Sequence, residues 1–563
     1  MNKGLALDLA LLTIPLALFL SLSVYQLEVR GLYYDEALDA VPAMQVVLGQ
    51  KVELVREAGV LIGQQALPMM VSDYQGAVQS YLLMPFFALL GVSVVSLRLM
   101  PVVASAATLV LAYFFARSFF NRPVAFLTIL LTAVQPSFIF WTQQGIHVCS
   151  VMGLLAISSL YSFWRWYRGG NSAFFILGCF LLGLGLSAKL LFLWWIAALG
   201  LAYLLLHPRG LLAQLVRLWP RRSAVGATFD NRQPAPRWSW LDIGPKQAFL
   251  GLIAGALGAW MILLYNLQTQ GTLQVLSLNL RETSYGVKNF DLWPNLLTRL
   301  HSFEVLLNGG GFWFLGGIFS NRPYPYILAA LVGLMLGLFL SARGGPARRF
   351  WRRGTFILLL IVLVLVESTA TMSGLWPTHL FLLYPLPQML IGLTLYLLYQ
   401  SFTSKAITLG IASLLVVFLI GSDLWVDRQY HRVLADTGGW ATHSDAINRL
   451  AQFLDERQVT EPMAMDWGIK TSVQVLTQGR VNPQEIFFYS VEPPDLFTHW
   501  LYGALTKADR YYLFHTDEFT IYPRFQAFQA MAQKMDKELL LEATIGQRDE
   551  HPVYLVYYAR SRK

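Results

Sequence analysis

Hydrophobic positions along this chain gather into long, nearly uninterrupted runs separated by short polar stretches. A helix needs about 20 apolar residues to cross roughly 30 Å of hydrocarbon. Runs of about that length recur from the N-terminus to near residue 425 and then stop. The pattern predicts a polytopic α-helical membrane protein of about 11 transmembrane helices plus interfacial helices. The predicted spans are 9–27, 97–116, 123–141, 148–164, 173–188, 190–206, 248–267, 325–341, 355–373, 380–399 and 406–425.

The apolar segment from Val78 to Val92 needs a separate decision, because it is short and is interrupted by Pro85. Counting it as a span would invert the orientation of every later loop. We predict instead an interfacial, re-entrant helix on the outer side.

The distribution of Lys and Arg supports this choice, because basic residues are enriched in cytoplasmic loops. With the N-terminus inside, the strongly basic linkers at 209–246 and 343–353 both fall on the cytoplasmic side. Loops 28–96 and 268–324 and the C-terminal tail then lie outside. A plasma membrane, bacterial by inference, is the predicted location.

The hydrophobic pattern changes after residue 426, where long apolar runs are replaced by short segments of mixed apolar and polar residues. We therefore predict a transmembrane module at 1–426 and an extracytoplasmic, soluble α/β domain at 427–563. The predicted elements of this domain are helices at 443–457 and 523–538 and strands at 463–467, 511–514 and 553–558. The domain is expected to help position a substrate or to support the outer loops.

Composition agrees with a membrane protein, since 55% of the 563 residues are hydrophobic and 13% are charged. The formal charge of +9 would point to nucleic acid in a soluble protein. Here the basic residues lie between apolar runs, where orientation requires them, so no nucleic-acid partner is predicted. Cys149 and Cys179 both lie in apolar segments and are expected to be small core residues, not a disulfide.

The chemistry-bearing motif follows the first span directly: Tyr33, Tyr34, Asp35 and Glu36, with Asp39 four residues after the first acid. Acids at a helix start can be ordinary caps that favour the helix dipole. Asp35 and Asp39, however, would share a helix face, and such a like-charge pair weakens a helix unless a cation, a proton or a substrate lies between them. The two tyrosines could offer aromatic faces to a sugar ring.

This Asp-Glu pair is followed by Tyr74-x-Gly76, Tyr81-Leu82-x-x-Pro85 and Leu97-Arg98-Leu99-Met100-Pro101. The combination resembles the GT-C membrane glycosyltransferases, and within them the group of protein O-mannosyltransferases and the lipid A aminoarabinose transferase. The resemblance implies a GT-C-like fold. It also implies inverting transfer of a sugar from a polyprenyl-phosphate donor to a protein, lipid or polysaccharide acceptor. Asp35 would be the catalytic base, with Glu36 beside it as the second catalytic candidate.

Two departures from the family pattern leave the donor and the use of a metal open. Asp39 stands where many relatives carry an aromatic or basic residue, and the segment Trp141–His147 lacks the acid that relatives often have there. A divalent ion is possible, with Asp35 and Asp39 as its candidate ligands, although so few carboxylates make a weak metal site. No other cofactor is expected.

Outward-facing cations and aromatics complete the predicted site. Arg98 and Lys189 could bind the donor phosphate or could simply extend to the lipid headgroups. His379 occupies a position similar to the basic residue that relatives carry before a Tyr-Pro pair. The substrate-binding candidates are Tyr33, Tyr34, Asp39, Tyr74, Tyr81, Arg98, His147, Lys189, His379 and Tyr384.

A lipid-linked saccharide transporter or a non-catalytic cell-envelope assembly protein is the alternative function. Transporters usually carry ionisable residues near the middle of the bilayer, often at broken helices. Here the acids concentrate in a loop after the first span, which favours the enzyme.

Overall fold

A computed structural model describes residues 3–206, 243–342, 344–507 and 509–561. Most of the basic linker predicted at 209–246, and Arg343 of the second linker, lie outside the described residues.

The described chain is mainly helical. The α-helices are α1 (Lys3–Val24), α2 (Tyr34–Val47), α3 (Val78–Leu90), α4 (Val94–Phe119), α5 (Arg122–Ala133), α6 (Pro136–Gln144), α7 (Cys149–Gly169), α8 (Ser172–Ala188), α9 (Leu193–Leu206), α10 (Pro245–Gly258), α11 (Trp260–Thr269), α12 (Gly271–Leu278), α13 (Leu292–Asn308), α14 (Pro323–Ser341), α15 (Gly345–Glu367), α16 (Leu386–Ser401), α17 (Lys405–Thr437), α18 (Ala446–Glu456), α19 (Lys470–Leu476), α20 (Asp495–Lys507) and α21 (Phe525–Lys534). The strands are β1 (Gly59–Ile62), β2 (Gln65–Pro68), β3 (Met70–Ser72), β4 (Gln75–Gly76), β5 (Met463–Ala464), β6 (Gln484–Glu485), β7 (Arg510–His515), β8 (Lys537–Gly546) and β9 (Pro552–Ser561). Short 3₁₀ helices cover Val55–Glu57, Ile146–Val148, Leu190–Phe192, Trp313–Leu315, Pro377–Leu383 and Ala441–His443.

Among the described residues, five helices are long and apolar enough to cross a membrane. The number rises to eight if each of three bent helix pairs is a single span. The bent pairs are α5 with α6, α10 with α11, and Pro377–Leu383 with α16, at 60°, 67° and 49°. Each predicted span overlaps a helix, so the polytopic architecture is confirmed, while the count of eleven stays a prediction.

The segment from Val78 folds as α3, which has 13 residues. At 1.5 Å per residue it is about 20 Å long, shorter than the roughly 30 Å of hydrocarbon it would have to cross. Its length therefore agrees with the interfacial placement.

One end of the bundle is marked by arginines, and we call it the basic end. The buried carboxylate of Asp8 on α1 accepts hydrogen bonds from Tyr113 (2.8 Å) and Arg122 (2.9 Å), and it pairs with Arg117 at 2.8 Å. A buried acid with such partners avoids the cost of an isolated charge. These contacts join α1, α4 and α5.

The C-terminal region contains a five-stranded sheet in the order β6-β5-β7-β9-β8. Strands β6, β5 and β7 run parallel, while β9 pairs antiparallel with both β7 and β8. The helix predicted at 523–538 ends at Lys534, because residues 537–546 form the edge strand β8. The sequence reasoning also missed β6, α19 and α20. Whether this region behaves as an independent soluble domain stays a prediction.

The C-terminal region packs directly on the segment that carries the Asp-Glu motif. Gly31 lies so close to the carbonyl of Ser444 that a Cβ atom there would overlap it. The hydroxyl of Thr471 donates to the carbonyl of Tyr34 at 3.1 Å. The motif is thus held between the helical bundle and the tail.

Candidate active site

Helix α2 presents both acids of the motif in its first turn. Glu36 caps the helix, since its carboxylate accepts from the backbone N–H of Tyr33 at 2.8 Å. Asp35 precedes it, where the helix dipole favours a negative charge. The two side chains point to different surroundings.

Glu36 is committed to Arg98 of α4. The guanidinium donates to both carboxylate oxygens, at 2.9 and 2.7 Å, and the two side chains are 1% and 0% exposed. Arg98 also donates to the carbonyls of Leu27, Arg30 and Gly31. The pair therefore fixes the turn between α1 and α2. The expectation that Arg98 binds phosphate and that Glu36 takes part in catalysis is not supported by this geometry, because neither side chain is free to reach a substrate.

Asp35 is the accessible acid of the motif. Its side chain is 22% exposed, and one oxygen lies 3.7 Å from Nε2 of His147. The hydroxyl of Tyr33 donates to it. Burial raises its pKa to about 6, against the opposing charge of Lys189 and the Tyr33 hydrogen bond. Asp35 is thus mostly ionised at neutral pH and close to the range in which a general base is effective.

Asp39, one turn further along α2, is fully buried. Its oxygens accept from the amide of Gln75 at 3.2 and 3.0 Å and from the amide of Gln79 at 3.0 Å. Burial raises its pKa to about 7. The like-charge problem expected for Asp35 and Asp39 is therefore relieved by two amide donors and a raised proton affinity.

Lys189, at the end of α8, is buried beside this acidic face. Its ammonium lies 3.4 Å from Nε2 of His379 and 6.0 Å from the ring centre of Tyr74. Burial lowers its pKa to about 8, while Asp35 and Asp39 raise it. At neutral pH Lys189 therefore carries a positive charge.

The contact between Lys189 and His379 has an electrostatic consequence. Nδ1 of His379 accepts from the backbone N–H of Trp376 at 3.0 Å, so a neutral ring carries its proton on Nε2. The ammonium of Lys189 also carries only donors, so neither group can accept a hydrogen bond from the other. Two donors that face each other can both be satisfied by one anionic oxygen, which makes this point a candidate phosphate site.

His147 links the base to these donors. Its ring stacks on His379 with centroids 5.0 Å apart, and it contacts Asp35 on its other side. The backbone of His147 has a positive φ of 53°. A non-glycine residue in that region is uncommon and is often found at functional sites.

Solved structures and a family pattern match this chain. A family described as dolichyl-phosphate-mannose-protein mannosyltransferase matches residues 75–220. Apo ArnT from Cupriavidus metallidurans aligns with a TM-score of 0.58 and 11% identity, covering 99% of this chain and 98% of that one. The same protein bound to undecaprenyl phosphate gives 0.55 and 11%, with the same coverage. The chain has the GT-C fold. This finding confirms the resemblance to GT-C membrane glycosyltransferases that the sequence indicated.

A third GT-C structure also aligns. It is the oligosaccharyltransferase AglB from Archaeoglobus fulgidus in complex with an inhibitory peptide and a dolichol-phosphate. The TM-score is 0.50 at 13% identity, and the alignment covers 94% of this chain and 71% of that one. No curated protein matches the sequence significantly. The region matched by the family pattern includes His147 and Lys189 but begins after Asp35.

Within this GT-C fold the two tyrosines of the motif contact the C-terminal region. Tyr33 stacks on His443 with centroids 3.8 Å apart, and Trp467 lies edge-on to it at 5.7 Å. The ring of Tyr34 lies 4.9 Å from the same tryptophan. The expectation that these rings offer free faces to a sugar is not supported, because protein side chains already cover them.

Two further substrate-binding candidates have structural partners away from Asp35. The hydroxyl of Tyr81 donates to the carbonyl of Pro68 at 2.8 Å. Tyr384 is buried, and its hydroxyl bonds to Gln135 at 2.7 Å and to the carbonyl of Leu306 at 3.0 Å. Both tyrosines hold neighbouring segments in place.

Sequence reasoning missed several residues of the site. Gln75 is the middle residue of the Tyr74-x-Gly76 motif and Gln79 follows it four residues later, a spacing that was the available signal. Arg299 of α13, whose charge acts on His379, gave no such signal. It is buried, donates to the carbonyl of Ser368 at 2.9 Å, and leaves one terminal nitrogen without a partner.

The residues around Asp35 do not suit a metal ion. Among the described residues, no group of three or more His, Cys, Asp or Glu side chains has the arrangement to hold one. Both oxygens of Asp39 already accept amide donors, and the charge of Lys189 opposes a second cation. The divalent ion considered from the sequence therefore finds no fit at Asp35 and Asp39.

Proposed function

We propose that the protein is an inverting glycosyltransferase that moves a sugar from a polyprenyl-phosphate donor to an acceptor hydroxyl on the extracytoplasmic side of the membrane. The observation that carries the proposal is the pairing of one accessible carboxylate, Asp35, with a buried group of donors at Lys189 and His379. The first suits a general base and the second suits a departing phosphate.

The reaction follows from these positions. Asp35 takes the proton of the acceptor hydroxyl while the oxygen of that hydroxyl attacks the anomeric carbon of the donor sugar. The bond from that carbon to the phosphate breaks, and the electron pair leaves with the phosphate. Lys189 and His379 stabilise the added negative charge by donating hydrogen bonds.

The engagement of the other acids supports inversion. A retaining enzyme needs a second carboxylate about 5 Å from the first to act as nucleophile. Glu36 is held by Arg98, and Asp39 is held by Gln75 and Gln79. Asp35 alone is therefore available for a single displacement.

The lipid-phosphate donor is supported by the solved relatives. ArnT is described bound to undecaprenyl phosphate, and AglB is described in complex with a dolichol-phosphate. A buried lysine with a neighbouring imidazole donor fits the shared phosphate chemistry.

The acceptor has an open approach from the tail side. Tyr285 and Tyr489 are 66% and 68% exposed, and the ring of Tyr522 lies 5.9 Å from that of Tyr489. Desolvation raises the pKa values of both tyrosines, the charge of Glu485 raises that of Tyr489 further, and the charge of Asp35 adds a smaller rise to each. We assign this aromatic rim to acceptor binding.

Replacing the base tests the proposal. Asp35→Asn keeps the shape of the side chain but cannot accept the proton, so transfer should fall by about 10²–10⁴. Transfer is measured with a polyprenyl-phosphate sugar and membrane acceptors, using Asp436→Asn as a control on an exposed acid of α17. Activity of the Asp35 variant within about tenfold of the parent would exclude it as the base.

The side of the membrane has its own test. Single cysteines replace Asp436 and Arg348, both exposed, in a chain lacking Cys149 and Cys179. An impermeant thiol reagent applied to intact cells should label only the first. Labelling at Arg348 alone would place the site on the cytoplasmic face.

A further inference from the structure

A cavity of about 230 Å³ lies at the basic end of the bundle, apart from the site described above. It is a partly open cavity lined by residues of α4, α7, α9 and α15. Its lining is mostly apolar and aromatic and includes Phe119, Trp164 and Phe356. Such a lining suits a hydrocarbon chain.

Three arginines complete the lining: Arg349, Arg352 and Arg353. Arg352 follows Arg349 by three residues and Arg353 follows it by four. This spacing places the three arginines on one side of α15, together with Phe356. Among the described lining residues there is no acid to balance them. The cavity therefore combines an apolar interior with an uncompensated positive edge.

Arg353 is the anchored member of this group. It donates to the carbonyl of Phe119 at 2.5 Å, and its guanidinium lies 5.1 Å from the ring centre of Trp164. Burial and the charges of Arg168 and Arg349 lower its pKa. Arg349 and Arg352 are exposed, so their side chains can reach a ligand at the cavity edge. An anion there would relieve the mutual repulsion.

The cavity is separate from the proposed donor site. Arg98 lies near the start of α4 and contacts the Asp35 segment, whereas Phe119 ends the same helix. At 1.5 Å per residue these two positions are about 30 Å apart, which is the thickness of the hydrocarbon layer. A phosphate at Lys189 and one at Arg349 would therefore belong to two different lipids.

We propose that this cavity is a binding site for an anionic glycerophospholipid, with an acyl chain among the aromatic side chains and the phosphate on Arg349 and Arg352. Charge complementarity selects an anionic headgroup, since basic pockets between membrane helices bind such lipids. The apolar interior selects a lipid over a free phosphate. The inference does not depend on the glycosyl-transfer reaction.

The test compares two double variants, each of which removes two positive charges from the basic end of the bundle. Arg349→Gln with Arg352→Gln removes the exposed arginines of the cavity. Arg348→Gln with Lys405→Gln is the control, because neither residue lines it. Each protein is delipidated in detergent, and binding of phosphatidylglycerol and phosphatidylcholine is measured by native mass spectrometry and by thermal stabilisation.

The parent and the control should bind phosphatidylglycerol in preference to phosphatidylcholine. The cavity variant should lose this preference, with affinity for phosphatidylglycerol falling about thirtyfold for two basic groups. Equal losses in the two double variants would overturn the proposal, because the arginines would then act only as general surface charge. The proposal would also be overturned if glycerol phosphate, which has no acyl chain, raised the thermal stability of the parent as much as phosphatidylglycerol does.

Discussion

Replacing Glu36 by Gln should separate the roles of the two adjacent acids. Glu36 and Arg98 form a buried bidentate pair, so the change leaves the guanidinium without its counter-charge. Removing one partner of a buried pair costs about 3–5 kcal/mol. Arg98 keeps three backbone carbonyl acceptors, which places the expected loss near 3 kcal/mol.

The neighbouring change Asp35→Asn is the matched control. Burial raises the pKa of Asp35 to about 6, so the ionised carboxylate is disfavoured in the folded protein above that pH. At pH 7 the amide should therefore unfold no more easily than the parent, even though transfer is lost. The two variants should give opposite patterns, with Glu36→Gln losing mainly stability and Asp35→Asn losing mainly rate.

Unfolding is followed by tryptophan fluorescence during titration with SDS from mixed micelles, and transfer is measured on the same samples. The double variant Glu36→Gln with Arg98→Met should be less destabilised than the sum of its two single changes, because the pair is then removed together. The assignment of Glu36 to structure would be refuted if Glu36→Gln unfolded like the parent but lost as much activity as Asp35→Asn.

Three further outcomes follow from the site. The transfer rate should rise with pH through about 6, because Asp35 must be ionised to accept a proton; a rate that stays level well below pH 6 would contradict this. Lys189→Met should raise the KM for the donor and move the pH profile upward, because the lysine charge lowers the pKa of Asp35; an unchanged KM and profile would exclude it from the phosphate site. Gly31→Ala should loosen the tail, since the new Cβ would overlap the carbonyl of Ser444, and limited proteolysis should then cut the tail faster. Gly333→Ala, which has open space, is the control and should leave the cleavage rate unchanged.

The polytopic architecture could be predicted because the physics that dictates it is local. In lipid, a run of about 20 apolar residues can pair its backbone groups within one helix and expose only apolar side chains. Each predicted span accordingly overlaps a helix. The strand at residues 537–546 was missed, and its first two residues were placed in the predicted helix at 523–538, for the opposite reason. Strand β8 is an edge strand whose partner is β9, and its formation depends on pairing that no local pattern in the predicted helix reveals.

The site could be predicted only in part, for a similar reason. Asp35, His147, Lys189 and His379 were expected singly, and the structure brings them together. The sequence could not show that Glu36 belongs to Arg98, because a buried ion pair joins residues distant along the chain. Residue type alone does not separate an acid that reacts from an acid that holds a turn.

The contact between the Asp35 segment and the tail has a consequence for the order of biosynthesis. The segment around Gly31 and Tyr33 is made early, whereas its packing partners, Ser444, His443 and Trp467, lie more than 400 residues later in the chain. A nascent chain that has inserted every predicted span still lacks these contacts around the Asp35 segment. A chain terminated before residue 443 would therefore reach the membrane with all its predicted spans but without the contacts that hold Gly31 and Tyr33 in place.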